Sequence, residues 1–170
     1  MKQIANYINE KLHVTSKSFY ACQPKTKDEL KKIIIERIKT AGPECDLNDI
    51  DVSDITDMSY LFDAALNLYV GRVFPNELFE DFNGDISQWD VSNVENMYAM
   101  FNCCKKFNGD ISAWDVSNVV NMESMFFDCR NFRRNLDKWN ISNVKYMHGA
   151  FFNCPIKPKW YKNRYKLCYI

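Results

Sequence analysis

From residue 82 onward the apolar positions return every 25 residues. Residues 82–106 read FNGDISQWDVSNVENMYAMFNCCKK, 107–131 read FNGDISAWDVSNVVNMESMFFDCRN, and 132–156 read FRRNLDKWNISNVKYMHGAFFNCPI. The first two agree at 17 of 25 positions without a gap. The third keeps the apolar skeleton of Phe132, Leu136, Trp139, Ile141, Val144, Met147, Phe151 and Cys154. A partial copy precedes them, with Asp51, Val52, Ser53, Ile55, Met58 and Phe62 matching Asp90, Val91, Ser92, Val94, Met97 and Phe101. Its offset is 39, so 14 extra residues fall before the first full copy. A fixed period of this size is the signature of units that bury their apolar faces only by stacking.

Each repeat reads in two halves. Ile86, Trp89 and Val91 sit among polar residues behind Asn83-Gly84, which predicts an opening turn and a short strand. Met97, Met100, Phe101 and Cys104 fall at i, i+3, i+4 and i+7, which predicts about two helical turns. Asn96, Asn121 and Asp57 precede the first Met of this half and suit helix N-caps, whereas Tyr146 departs from the pattern. The expected fold is therefore an α/β solenoid: a right-handed, leucine-rich-repeat-like array of short parallel strands backed by short helices. Residues 1–45 read as a helical N-terminal cap, with Leu30, Ile33, Ile34, Arg37 and Ile38 on one face. That helix begins at Thr26 or Lys27-Asp28 and ends at Gly42-Pro43. The solenoid is expected over 46–156 with an insertion near 65–81, followed by a basic aromatic C-terminal cap at 157–170.

The motif WDVSNVxNMxxMFxxC resembles the repeat of BspA-like leucine-rich-repeat surface proteins of bacteria. More narrowly, it is similar to the Asp/Trp-containing variety found in bacterial lipoproteins of unknown function. ITDMSYLF at 55–62 and PKTKDELKKII at 24–34 are similar to the opening of such arrays, so the resemblance spans roughly 24–156. It implies a leucine-rich-repeat-like solenoid and a role in adhesion or protein binding. It implies no catalytic residues.

Charge refines this picture. Lys plus Arg and Asp plus Glu both total 22 over 170 residues, so no global field recruits nucleic acid or membrane. The distribution is uneven: 1–45 hold nine basic and five acidic side chains, whereas 46–156 hold 8 basic and 17 acidic. Residues 157–170 add five basic groups, four aromatics and no acid. Nucleic acid is not an expected partner, although that tail has the composition of a single-strand contact. No apolar run reaches the ~18 residues of a membrane span, and the opening MKQIANYINEKLH has no signal-peptide core, so a cytoplasmic protein is expected. Seven cysteines without a CxxC, and two distant histidines, favour reduced thiols and give no zinc set. No nucleophile–base arrangement and no phosphate loop is present, so neither an enzyme nor a cofactor is expected.

The candidate functional residues lie on the outward positions of the presumed strands. Gln88, Ala113 and Lys138 form one column; Asp90, Asp115 and Asn140 form the next. They vary or carry charge while their neighbours stay apolar, as a protein-binding face would. Secondary candidates are Phe74, Leu78 and Phe79 of the insertion, which either pack on the flank or protrude toward a partner. Trp160 and Tyr161 either close the last repeat or join a contact. Trp89, Trp114 and Trp139 are expected in the core, the alternative being an aromatic platform for a glycan. Asn93, Asn118 and Asn143 are expected to satisfy backbone groups between repeats. DLNDIDVSDITD at 46–57 fails the EF-hand spacing, and its Asp residues are expected at caps and turns. The protein partner remains open, with self-assembly through the basic ends and the acidic middle as a second reading.

Overall fold

The computed structural model describes residues 20–65 and 77–163. Its recurring unit is the four-residue turn. The Ile86 carbonyl accepts from Trp89 N–H at 3.2 Å, Val91 from Val94 at 2.9 Å, Met97 from Met100 at 3.2 Å, and Phe101 from Cys104 at 3.0 Å. In each turn the first and last residues are apolar and buried. Asp or Asn side chains help to form these bends, because a short side-chain oxygen can accept the N–H two residues on. Oδ1 of Asp85 takes the Ser87 N–H, Asp90 that of Ser92 and Asn96 that of Tyr98. Asp110, Asp115 and Asn121 do the same in the next repeat.

Successive repeats are joined by a ladder that runs one way. The N–H groups of Met97, Ala99, Phe101 and Cys103 reach the carbonyls of Asn121, Glu123, Met125 and Phe127 at 2.8–2.9 Å. Met58, Tyr60, Phe62 and Ala64 donate to the repeat after them in the same way, as do Met122, Ser124, Phe126 and Asp128.

This arrangement corrects the expected parallel-strand, leucine-rich-repeat solenoid. Among the described residues there is no sheet, only isolated parallel bridges: Cys22 with Ile50, Asp46 with Asp85, Asp57 with Asn96, Asn96 with Asn121, and Asn121 with Tyr146. No helix backs the repeats either. The described helices are α1 (Lys27–Ala41), the single-turn α2 (Glu77–Glu80) and a 3-10 helix (Lys159–Asn163). Two local facts explain the difference. Bends at Asp85, Asp90 and Asn96 interrupt any extended run. Ala99, Cys103, Ser124, Asp128 and Asn153 have φ between 51° and 61°, and Gly149 has 64°, a left-handed backbone that an α-helix of L-residues does not contain. The i, i+3, i+4, i+7 spacing is met by two consecutive turns instead of two turns of helix.

Aromatic columns fill the interior. Phe62, Phe101, Phe126 and Phe151 stack at ring spacings of 5.3, 5.5 and 5.2 Å. A parallel column of Phe82, Phe107 and Phe132 runs at 5.9 and 5.8 Å. Near-parallel contacts at 4.3, 4.2 and 4.5 Å tie the two columns together. Burying each Phe contributes about 1.5–3 kcal/mol, so these columns dominate cohesion between repeats.

The first repeat is longer than its sequence match suggests. The turns Leu47–Ile50 and Val52–Ile55 reproduce Ile86–Trp89 and Val91–Val94, and Asp46 bridges Asp85. Over it lies α1. Thr26 caps the helix, its hydroxyl accepting from Glu29 N–H at 3.2 Å, and Gly42 ends it at φ 89°. Leu30, Ile34 and Ile38 are the buried face. At the other end, Trp160 and Tyr161 of the 3-10 helix sit edge-on against Phe151 at 5.8 and 5.0 Å.

Candidate functional site

The two candidate columns fall on turn tips, not strands. Gln88, Ala113 and Lys138 occupy the third position of the turns Ile86–Trp89, Ile111–Trp114 and Leu136–Trp139, and all three are exposed. Asp90, Asp115 and Asn140 are exposed at the junction before the next turn. Their carboxylate or amide oxygens are already in use. Asp90 Oδ1 accepts from Ser92 N (3.1 Å) and Oγ (2.6 Å), Asp115 Oδ1 from Ser117 N (3.0 Å), and Asn140 Oδ1 from Ser142 N (3.2 Å). The Ser117 hydroxyl and N–H hold the Asp115 carboxyl below its ordinary range, and Ser112 does the same for Asp110. The second column therefore maintains the turns as well as facing solvent, while Gln88, Ala113 and Lys138 are the freer side chains.

Behind the tips the framework is fixed. Trp114 Nε1 donates to the Ile86 carbonyl and Trp139 Nε1 to that of Ile111, both at 3.2 Å, while Trp89 Nε1 donates to Leu47 at 2.9 Å. The three indoles are buried, so this column presents no platform for a glycan. Asn93, Asn118 and Asn143 donate their amides to the carbonyls of Ser53, Ser92 and Ser117 at 2.7–2.9 Å. Beside them Ser53, Asp54, Thr56, Asn93, Glu95 and Asn118 line an open polar groove of about 420 Å³. The thiols of Cys104, Cys129 and Cys154 donate to the carbonyls of Phe62, Phe101 and Phe126 at 2.8–2.9 Å. Burial pushes the Cys104 thiol well up, which leaves it a packing group, not a nucleophile.

The secondary candidates part company. Phe79 and Tyr161 are core residues, and Leu78 and Trp160 pack against the core half-buried. Trp160 Nε1 donates to the Leu136 carbonyl at 2.8 Å, extending the tryptophan ladder by one step. None of these four forms an exposed contact patch. Phe74 lies outside the described residues.

Two features escaped the sequence reading. The first is a docking seam between the N-terminal segment and the acidic cluster. Gln23 meets Asp51 at 2.8 Å, Lys25 meets Asp54 at 2.6 Å, Lys27 meets Asp57 at 2.6 Å, and Arg37 meets Asp49 at 2.6 Å. Lys31 Nζ adds a bond to the Tyr60 carbonyl at 2.6 Å. The signal was available in the opposite charges of 25–39 and 46–57. The second is an exposed aromatic strip at the far end. Phe127 and Phe152 stack at 4.8 Å, and both Phe152 and Tyr146 are more than half exposed. Tyr146 stands where the other two full repeats carry Asn, and Phe152 where the repeat at 82–106 carries Asn102.

Among the described residues no group of three His, Cys, Asp or Glu is placed to hold a metal ion, and no helix is long and apolar enough to cross a membrane. A family model described as "Mycoplasma protein of unknown function, DUF285" matches residues 37–161, and the chain belongs to that family. No curated protein and no solved structure matches the chain.

Proposed function

We propose that this member of the family is a non-catalytic protein-binding module that meets its partner through the stacked turn tips. The observation that carries the reading is the contrast along one short stretch. Gln88, Ala113 and Lys138 are exposed and differ in charge and size, while the first and last residues of each turn, Ile86 and Trp89, Ile111 and Trp114, Leu136 and Trp139, are buried. A rigid frame with interchangeable tips is the property that lets repeat proteins present an extended binding surface. The likeness of the repeat to that of BspA-like surface proteins, whose implied role is adhesion or protein binding, supports the same reading.

The test is site-specific photo-crosslinking in a lysate of the organism that encodes the chain. A photoreactive residue at position 113 should join a discrete partner, and Gln88→Arg should abolish that product at an unchanged unfolding temperature. Asp90 and Asp115 are unsuitable for this purpose because a residue without their side-chain acceptor would open the turns. Crosslinks only to a second copy would replace the reading with self-assembly, and no product at all would overturn it.

A further inference from the structure

The second turn of each full repeat carries an asparagine at its third position, and the amide is held from one side. Nδ2 of Asn93, Asn118 and Asn143 faces the carbonyl of Ser53, Ser92 and Ser117. A carbonyl accepts and cannot donate, so the nitrogen must be the atom against the neighbouring repeat, and each Oδ1 is left as an acceptor. Asp54 occupies the same position in the first repeat. Two residues further on, the column Thr56, Glu95, Val120 and Lys145 changes character at every step. Its carboxylate, Glu95, is exposed and meets no side-chain cation among the described residues, and the groove of about 420 Å³ opens at that step. None of the six residues lining it is basic. Asp54, Thr56, Asn93, Glu95 and Asn118 are exposed and Ser53 is half-buried, so the groove is open to a ligand. At its rim Asp54 already holds the Lys25 ammonium at 2.6 Å. That pair leaves Glu95 as the uncompensated charge of the groove.

We propose that this groove binds the guanidinium of an arginine side chain presented by another polypeptide. The acceptors select that ligand. A divalent metal ion needs a tighter set of anionic oxygens, and among the described residues no group of three His, Cys, Asp or Glu is placed to hold one. An ammonium is a compact point charge, whereas a guanidinium is a planar fork of five N–H donors. The Glu95 carboxylate can take two of those donors side by side, and the amide oxygens of Asn93 and Asn118 with the Thr56 hydroxyl offer acceptors for others. An anionic ligand is repelled by the same carboxylate. Lys145 ends the column, so the far end of the row repels the cation that the Glu95 step attracts. The groove lies on the turns Val52–Ile55, Val91–Val94 and Val116–Val119, apart from the tips at 88, 113 and 138. Failure of either site therefore leaves the other standing.

The probe is N-acetylarginine amide, whose capped ends leave the side chain as its charged group, titrated into the full, isotopically labelled chain and followed by NMR. The side-chain amides of Asn93 and Asn118 and the backbone amide of Glu95 should shift together and saturate with a millimolar dissociation constant. Glu95→Gln removes an exposed charge and should weaken binding about fivefold or more at an unchanged unfolding temperature. The citrulline counterpart has the same shape without the charge and should not bind. The lysine counterpart should bind more weakly than arginine, because it lacks the planar fork. Equal binding of the citrulline compound, or an unchanged affinity in Glu95→Gln, would overturn the proposal. So would the absence of any shift at tens of millimolar, or shifts at Asp85 and Asp110 as large as those at Glu95. Tighter binding of free arginine than of the capped form would overturn a polypeptide as the source of the side chain.

Discussion

The clearest residue-level demands come from two glycines with different reasons to be glycine. A Cβ at Gly84 would lie 2.6 Å from the Cys45 carbonyl oxygen and from the Phe82 ring, so the backbone of the neighbouring repeat would have to move. Gly84→Ala should cost about 1–3 kcal/mol, read as a lower unfolding midpoint in denaturant. At Gly149 a Cβ would meet only ordinary contacts, at 3.6 Å to Ser124 Oγ and 3.7 Å to Phe127, but φ is 64°. Gly149→Ala should therefore lose only about 1 kcal/mol, the backbone term alone. The turn aspartates set a pH dependence. Ser87 N–H, then Asn48 and the Ser87 hydroxyl, lower the Asp85 carboxyl, and Ser112 and Ser117 lower Asp110 and Asp115. A carboxyl depressed in the folded state contributes stability that is fully present above its unfolded value of about 4 and fades as pH falls through the folded value. Asp63 opposes this, because burial raises it. The double change Asp110→Asn/Asp115→Asn keeps the turn acceptors, as Asn135 and Asn140 do in the last repeat. Its melting temperature should lie below that of wild type at pH 7, converge with it toward pH 3, and so decline less steeply between about pH 5 and 3. An identical acid limb would show that these carboxylates titrate alike in both states.

At the scale of elements, α1 could be read from its own residues. Thr26 with Glu29 marks a start, Gly42-Pro43 a stop, and Leu30, Ile34 and Ile38 a face. The repeat halves could not be read so directly. An apolar residue, two others and an apolar residue describe one face of a helix and a four-residue turn equally well. Deciding between them required knowing that Ala99 and Ser124 are left-handed, and neither residue type announces this as glycine does. The strand reading failed for a related reason: Trp89 and Val91 are close enough in sequence to alternate, but a bend at Asp90 lies between them. For the cap, burial should outweigh charge. Ile34→Ala should destabilise by about 2–5 kcal/mol, whereas Lys25→Ala, removing an exposed pair, should change stability by less than about 1 kcal/mol. Urea unfolding of both variants would compare them. A large effect at Lys25 would mean that the seam, not the apolar face, holds α1 in place.

For the whole molecule, the repetition that sets the spacing of 25 also dictates which residues are inside, because each column must pack against its own copies. The burial of the Phe and Trp columns was legible for that reason, while the ionic seam between α1 and residues 46–57 was not, because it joins segments distant in the sequence. The three ladder indoles should give blue-shifted emission that iodide quenches only weakly, and strong quenching would mean that the columns are not closed. A longer-range consequence follows from the direction of the ladder. Twelve N–H groups, four at each of three interfaces, point from the α1 end toward residues 146–153. The opposing bonds between these repeats are fewer, for instance Glu95 and Asn96 sharing the Thr56 carbonyl. Peptide dipoles aligned in this way add along the axis, as they do in an α-helix. The stack is therefore an electret in miniature, with its negative pole under the ammonium groups of Lys27 and Lys31 and its positive pole at the repeat that ends the ladder.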